Sequence, residues 1–182
     1  MTPTAAARAS QPSTSSLRER LKDPSLLREH CYVDGAWAGT PVHPVNNPAT
    51  GVELAKVPQM TAADATHAVE AAARAFPVWA KFTAKQRSNI LRKWFDLIVA
   101  NREDLALILT SEQGKPLAEA LGEVDIGGAY VEFFAEEARR VYGETIPAQR
   151  ADARLLAIRQ PIGVCGAITP WNFPSSMITR KV

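Results

Sequence analysis

The chain has 182 residues, 46% hydrophobic and 22% charged, with 21 basic and 19 acidic residues giving a formal net charge of +2. This is ordinary globular composition, enough for one core of moderate size or for one domain and part of another. The near balance of charge leaves no electrostatic footprint for nucleic acid or an anionic membrane surface, and no apolar run approaches the ~18 residues of a membrane span.

Residues 1–27 are read as a disordered tail and lead-in. The first 16 are mostly Ala, Ser, Thr and Pro, with Arg8 their only basic residue, and such a stretch cannot bury apolar surface. It has the outline of an organelle transit peptide. One basic residue and no amphipathic period favour an unstructured tail and a cytoplasmic location instead.

Strand and turn signals occupy 31–57. Cys31-Tyr32-Val33 and Ala36-Trp37-Ala38 flank Asp34-Gly35, a compact hairpin pattern, and a further strand is expected over 52–57 after the Asn-Pro-Gly loop. Three helices should follow. Thr61 and Asp64 form a capping-box signal, with Val69, Ala72, Ala73 and Phe76 on one face until Pro77 interrupts the pattern. Thr83 and Gln86 open a second helix that runs through Ile90, Trp94 and Ile98, past Asn101, to Leu109, and stops at Gly114 and Pro116. The third runs from Pro116 through Leu121, Val124 and Val131 to Gly143. Gly127-Gly128 inside it costs about 1 kcal/mol per Gly relative to Ala, which close packing against another helix would explain.

Residues 153–160 alternate as a strand, and a turn at Pro161-Ile162-Gly163 leads into a strand over 164–169. Pro170-Trp171-Asn172-Phe173-Pro174 then forms a turn whose prolines fix φ. Pro174 suits the first turn of a helix, placing Phe173, Met177 and Arg180 at i, i+4 and i+7 on one face, an apolar channel ending in a cation.

Cys31 and Cys165 are too few for a disulfide framework and have no zinc-ligand spacing, which points to a reducing compartment. Cys165 has no His, Lys or Arg beside it to stabilise a thiolate, so it reads as strand packing rather than a nucleophile. His30, His43 and His67 are scattered and read as surface or packing residues.

The stretch IGVCGAITPWNFPSSMITRK over 162–181 resembles the aldehyde dehydrogenase superfamily, as do Thr110-Ser-Glu-Gln-Gly-Lys-Pro116, Phe134-Ala-Glu-Glu-Ala-Arg-Arg-Val-Tyr-Gly143 and, more weakly, Tyr32-Val-Asp-Gly35. The continuation MITRK after PWNFP is most similar to the succinate-semialdehyde dehydrogenase branch. The resemblance covers about residues 28–182. It implies an α/β protein: the amino-terminal part of the aldehyde dehydrogenase fold, with edge strands and three helices of a Rossmann-like NAD(P)-binding domain over 28–142. Strands of an oligomerisation arm would occupy 143–161, and 162–182 would return into the NAD(P)-binding domain. Family members are much longer, with the nucleophilic cysteine and the general-base glutamate downstream of the position matching Val182. By resemblance, then, this is an amino-terminal fragment that would not turn over alone.

The family oxidises aldehydes through a covalent thiohemiacetal, and Asn172 matches its oxyanion-stabilising asparagine. Ile168, Thr169, Pro170 and Trp171 match the backbone stretch beside the adenosine half of the cofactor, NAD or NADP. Gly163-Val-Cys-Gly166 does not fit GxGxxG, a fingerprint the family also lacks. Arg180 matches the arginine that holds the distal carboxylate of succinate semialdehyde, a role suited to a guanidinium. Phe173 and Met177 would wall the aldehyde channel or pack in a core. The resemblance implies a small aldehyde as substrate and homo-oligomers among full-length members. The alternative is a non-catalytic fragment that associates with intact subunits. Without the resemblance, Asn172 is an asparagine in a proline turn and Arg180 a solvated helix charge.

Overall fold

The computed structural model describes residues 16–182. The disorder expected for residues 1–15 lies outside the described residues. From Ser16 to Leu27, however, the chain is folded. Ser16 and Glu19 form a reciprocal capping box on α1 (Leu17–Arg20), and Asp23 caps a single 3₁₀ turn at Pro24–Leu26. Leu17, Leu21 and Leu27 are buried with Ala55, and Leu54, Leu107 and Ile108 pack against them. Asp104 fastens this segment to the body: its carboxylate oxygens accept from the backbone N–H of Lys22 at 3.0 Å and of Asp23 at 2.8 Å.

β1 (Cys31–Val33) and β2 (Ala36–Ala38) form the expected antiparallel hairpin. Asp34 and Gly35 both take positive φ, 51° and 80°, as a type I′ turn requires. β3 (Pro41–Asn46) pairs antiparallel with β4 (Glu53–Pro58). The sequence reading named no separate strand over 41–46; Pro41 and Pro44 cannot donate to a ladder, but a two-stranded sheet has only edges, where proline is tolerated.

α2 (Ala62–Ala80) begins at the Thr61–Asp64 capping box but is not stopped by Pro77. Proline near a helix end forgoes one hydrogen bond, and the helix closes within a turn. The single helix expected over 84–113 is two, α3 (Ala84–Ala100) and α4 (Arg102–Gln113). At the joint Asn101 has φ −109° and ψ 18°, and its side-chain amide donates to the Leu97 carbonyl at 2.8 Å. This local bond competes with helix continuation. Gly114, with φ 81°, ends α4 in the left-handed conformation.

α5 (Leu117–Glu137) is the central helix, packed against α3, α4 and α6 (Pro174–Thr179), and it ends before Gly143. Ala106 and Leu109 of α4 interlock with Ala120 and Val124 of α5 as a second core, flanked by Ile98, Leu105 and Leu121. The paired glycines sit at helix crossings. A Cβ on Gly127 would lie 3.5 Å from the Ser176 Cα on α6, and one on Gly128 would lie 3.5 Å from the Ile98 side chain on α3.

β5 (Glu144–Ile146) and β6 (Leu155–Ala157) form an exposed antiparallel hairpin, with no further strand beside it among the described residues. The strand expected over 164–169 does not form. A buried strand needs a ladder on each side, and no described strand lies alongside; Ile162 and Ile168 are accordingly 92% and 97% exposed. Cys165 is an exposed free thiol, so the packing expected of it is absent with the strand. No described helix is long and apolar enough to cross a membrane, and no metal-binding cluster of His, Cys, Asp and Glu occurs among the described residues.

Candidate active-site turn

The turn at Trp171-Asn172 is held from below by the α4–α5 connection. Gly114 reverses the chain after α4 and Pro116 precedes α5, so Lys115 stands alone between two stops. Its ammonium donates to the Asn172 carbonyl at 2.8 Å, and Gln113 Nε2 donates to the same oxygen at 3.2 Å. Lys115 Nζ also lies 3.9 Å above the centre of the Phe173 ring, a cation–π contact.

The counter-ion is Glu123 on α5, only 1% exposed. One carboxylate oxygen takes Lys115 Nζ at 2.5 Å. The other accepts the backbone N–H groups of Ser175 at 2.9 Å and Ser176 at 3.2 Å, where α6 begins. A negative charge here meets orphan donors and the positive end of the helix dipole. No site role was expected of Gln113 and Lys115, which entered only as part of the Thr110–Pro116 motif, or of Glu123. The signal was present: Glu123 lies at i+3 from Ala120 and i−4 from Gly127, on the face where α5 buries Val124 and Val131, and a lone carboxylate there demands a partner.

The backbone grip leaves the Asn172 side chain in solvent, with no partner among the described residues. Ile168 and Thr169 belong to no helix or strand, and no hydrogen bond joins their backbone groups to the other described residues before the turn at Trp171-Asn172. A chain with free N–H and C=O groups and no charge of its own fits contact with a dinucleotide, and equally fits pairing with a strand.

The three side chains expected on one channel wall are not brought together. Arg180, at the end of α6, has its guanidinium 5.8 Å from the Tyr130 ring centre and lines an open groove of about 520 Å³ with Ile126, Ala129, Phe133 and Phe134. Phe173 lies instead over Lys115, and Met177 is half-buried with its sulfur 3.9 Å from Lys181 Nζ. The face of α6 that docks on α5 carries the buried Ser176 and Thr179. On the far side of α5, Arg102 holds Asp125 through hydrogen bonds of 2.5 and 2.6 Å, which draw that carboxyl below its ordinary value.

The chain is 57% identical over 165 residues to 3-sulfolactaldehyde dehydrogenase of Pseudomonas putida, and 50% identical over 166 residues to the NADP(+) succinate-semialdehyde dehydrogenase of Escherichia coli. Each match covers 89% of this chain and 34% of the relative, so the chain spans about a third of the length of the curated relatives it matches. Among solved structures, an aldehyde dehydrogenase from Brucella melitensis biovar abortus 2308 superposes with a TM-score of 0.86 at 57% identity, covering 88% of this chain and 34% of that one. Residues 37–182 match the model of the aldehyde dehydrogenase family, and with the helices, the turn and these likenesses in agreement, the chain belongs to that family.

Proposed function

We propose that this segment serves an enzyme that oxidises a small aldehyde with a distal anionic group, succinate semialdehyde in the first instance, to the carboxylic acid using NAD or NADP. The cofactor, when bound, accepts hydride. The part of the chemistry assigned to these residues is electrostatic. The Asn172 side-chain amide donates a hydrogen bond to the oxygen of the substrate carbonyl as negative charge builds there, from a main chain held beforehand by Lys115 and Gln113. Backbone groups from Ile168 to Trp171 line the cofactor side of the turn. Arg180 pairs with the distal anion; a carboxylate in succinate semialdehyde and a sulfonate in 3-sulfolactaldehyde, the aldehydes in the relatives' names, both suit a guanidinium. The nucleophilic cysteine and the general-base glutamate are assigned to the family fold beyond residue 182, so the 182-residue chain alone is inactive in this reading.

The observation that supports this best is the Asn172 turn: the carbonyl held by two side chains, the amide left free. The test is Asn172→Ala in a full-length aldehyde dehydrogenase carrying this segment. A fall in kcat on the order of a hundredfold or more is expected, and unaltered turnover sinks the reading.

A second reading is favoured by the exposed β5–β6 hairpin, on which Leu155 and Leu156 face solvent: the segment associates with intact homologous subunits without catalysing. Co-purification with such a subunit is the expected result, and a non-associating monomer counts against it.

A further inference from the structure

We propose that Lys115 and Glu123 form a positioning pair for Asn172, acting on the oxyanion chemistry only through the main chain of the turn. The inference rests on the assignment of Asn172 as the oxyanion donor. Neither side chain is open to solvent. Lys115 has a 9% exposed side chain and Glu123 one fully enclosed.

The pair's geometry is what singles it out. Each carboxylate oxygen of Glu123 has its own task, one holding Lys115 and the other the Ser175 and Ser176 N–H groups. Lys115 in turn spends one N–H on Glu123 and another on the Asn172 carbonyl. The pair therefore fixes the backbone on both sides of Phe173-Pro174, at Asn172 before it and at Ser175 after it. Stability alone does not account for the arrangement, because replacing a buried ion pair by apolar residues is often neutral or stabilising. An apolar pair would leave the Asn172 carbonyl to Gln113 alone, at 3.2 Å, and would leave no acceptor at the start of α6. A peptide plane held at Asn172 only by that longer, uncharged bond swings more widely and carries its side-chain amide with it, and a misplacement near 1 Å costs on the order of 100-fold in rate.

The test is a double-mutant cycle in a full-length enzyme carrying this segment, measuring kcat and KM for Lys115→Met, Asn172→Ala and the double variant. The pair acting through Asn172 gives a fall in kcat of about 10- to 100-fold for Lys115→Met with little change in KM, and no further fall when Asn172 is already Ala. Lys115→Arg, which keeps a donor and the charge, recovers part of the loss. An unchanged kcat for Lys115→Met, or the same fold-loss in both backgrounds, overturns the positioning role while leaving a costly Asn172→Ala, and so the oxyanion assignment, intact. A silent Asn172→Ala overturns the oxyanion assignment itself and with it this inference. Should Lys115→Met fail to fold, Glu123→Gln is read by the same cycle, since it keeps an acceptor for Ser175 and Ser176 while removing the charge that holds Lys115.

Discussion

Gly127 on α5 and Thr179 on α6 meet so closely that a Cβ built on the glycine lies 3.2 Å from the threonine hydroxyl oxygen. That approach, with the Glu123 bonds to Ser175 and Ser176, seats the short helix that carries Met177 and leads to Arg180. For Gly127→Ala, the gain in helix propensity of about 1 kcal/mol is opposed by the few tenths of an ångström α6 must give. Gly127→Val forces α6 away and costs about 1–3 kcal/mol. Gly128→Ala meets only ordinary contacts, the nearest at 3.5 Å, and is expected to stabilise by up to about 1 kcal/mol. Urea unfolding of the three variants should rank them Gly128→Ala, Gly127→Ala, Gly127→Val.

Asp104→Ala tests the fastening of the lead-in. Two N–H groups, on Lys22 and Asp23, lose a charged acceptor, worth about 1.5–3 kcal/mol in such bonds. Hydrogen exchange at those two amides should quicken, while exchange in the middle of α5 follows only the global loss. Unchanged protection at both would mean the segment is held by Leu17, Leu21 and Leu27 alone.

The Arg102–Asp125 pair gives a dependence on pH whose sign is fixed. Its hydrogen bonds lower the Asp125 carboxyl below its unfolded value, so the stabilisation is complete above about pH 4 and is lost as pH falls through the folded pKa. Arg102→Gln should return the Asp125 titration, followed by carboxyl carbon NMR, to the ordinary range. Because half the Asp125 side chain is in solvent, the accompanying change in stability is small and shrinks with salt.

Arg180→Gln in a full-length enzyme carrying this segment should lower kcat/KM for succinate semialdehyde by about 10- to 100-fold, the equivalent of one lost charged hydrogen bond. A neutral aldehyde of similar length should be affected little. Equal losses for both substrates would assign Arg180 to structure, through its contact with Tyr130.

The local grammar of the chain was legible where a signal is self-contained. Asp34-Gly35 specified a hairpin, Thr61–Asp64 and Thr83–Gln86 specified helix starts, and Gly127-Gly128 pointed to a tight crossing. Signals that depend on context misled. Asn101 broke a helix through a side-chain bond that no apolar period reveals, and Pro77 was overridden within a turn of the helix end. The apolar run over 164–169 met strand criteria, yet a strand exists only with a partner. At the candidate site, the roles proposed for Asn172 and Arg180 come from resemblance. The Lys115–Glu123 pair was not, because its two halves look like ordinary helix and turn charges until α6 is laid across them.

The ribbon from Ile158 to Ile168 has a further consequence for anyone handling this chain. It offers bare hydrogen-bonding edges beside isoleucines at 74%, 92% and 97% exposure, interrupted by Pro161 and followed by Pro170. Such a tape adheres to its own kind, so purified material will self-associate as concentration rises, with the prolines limiting how many residues can zip together. A lysine at Ile162 should keep the preparation dispersed without touching the helical core.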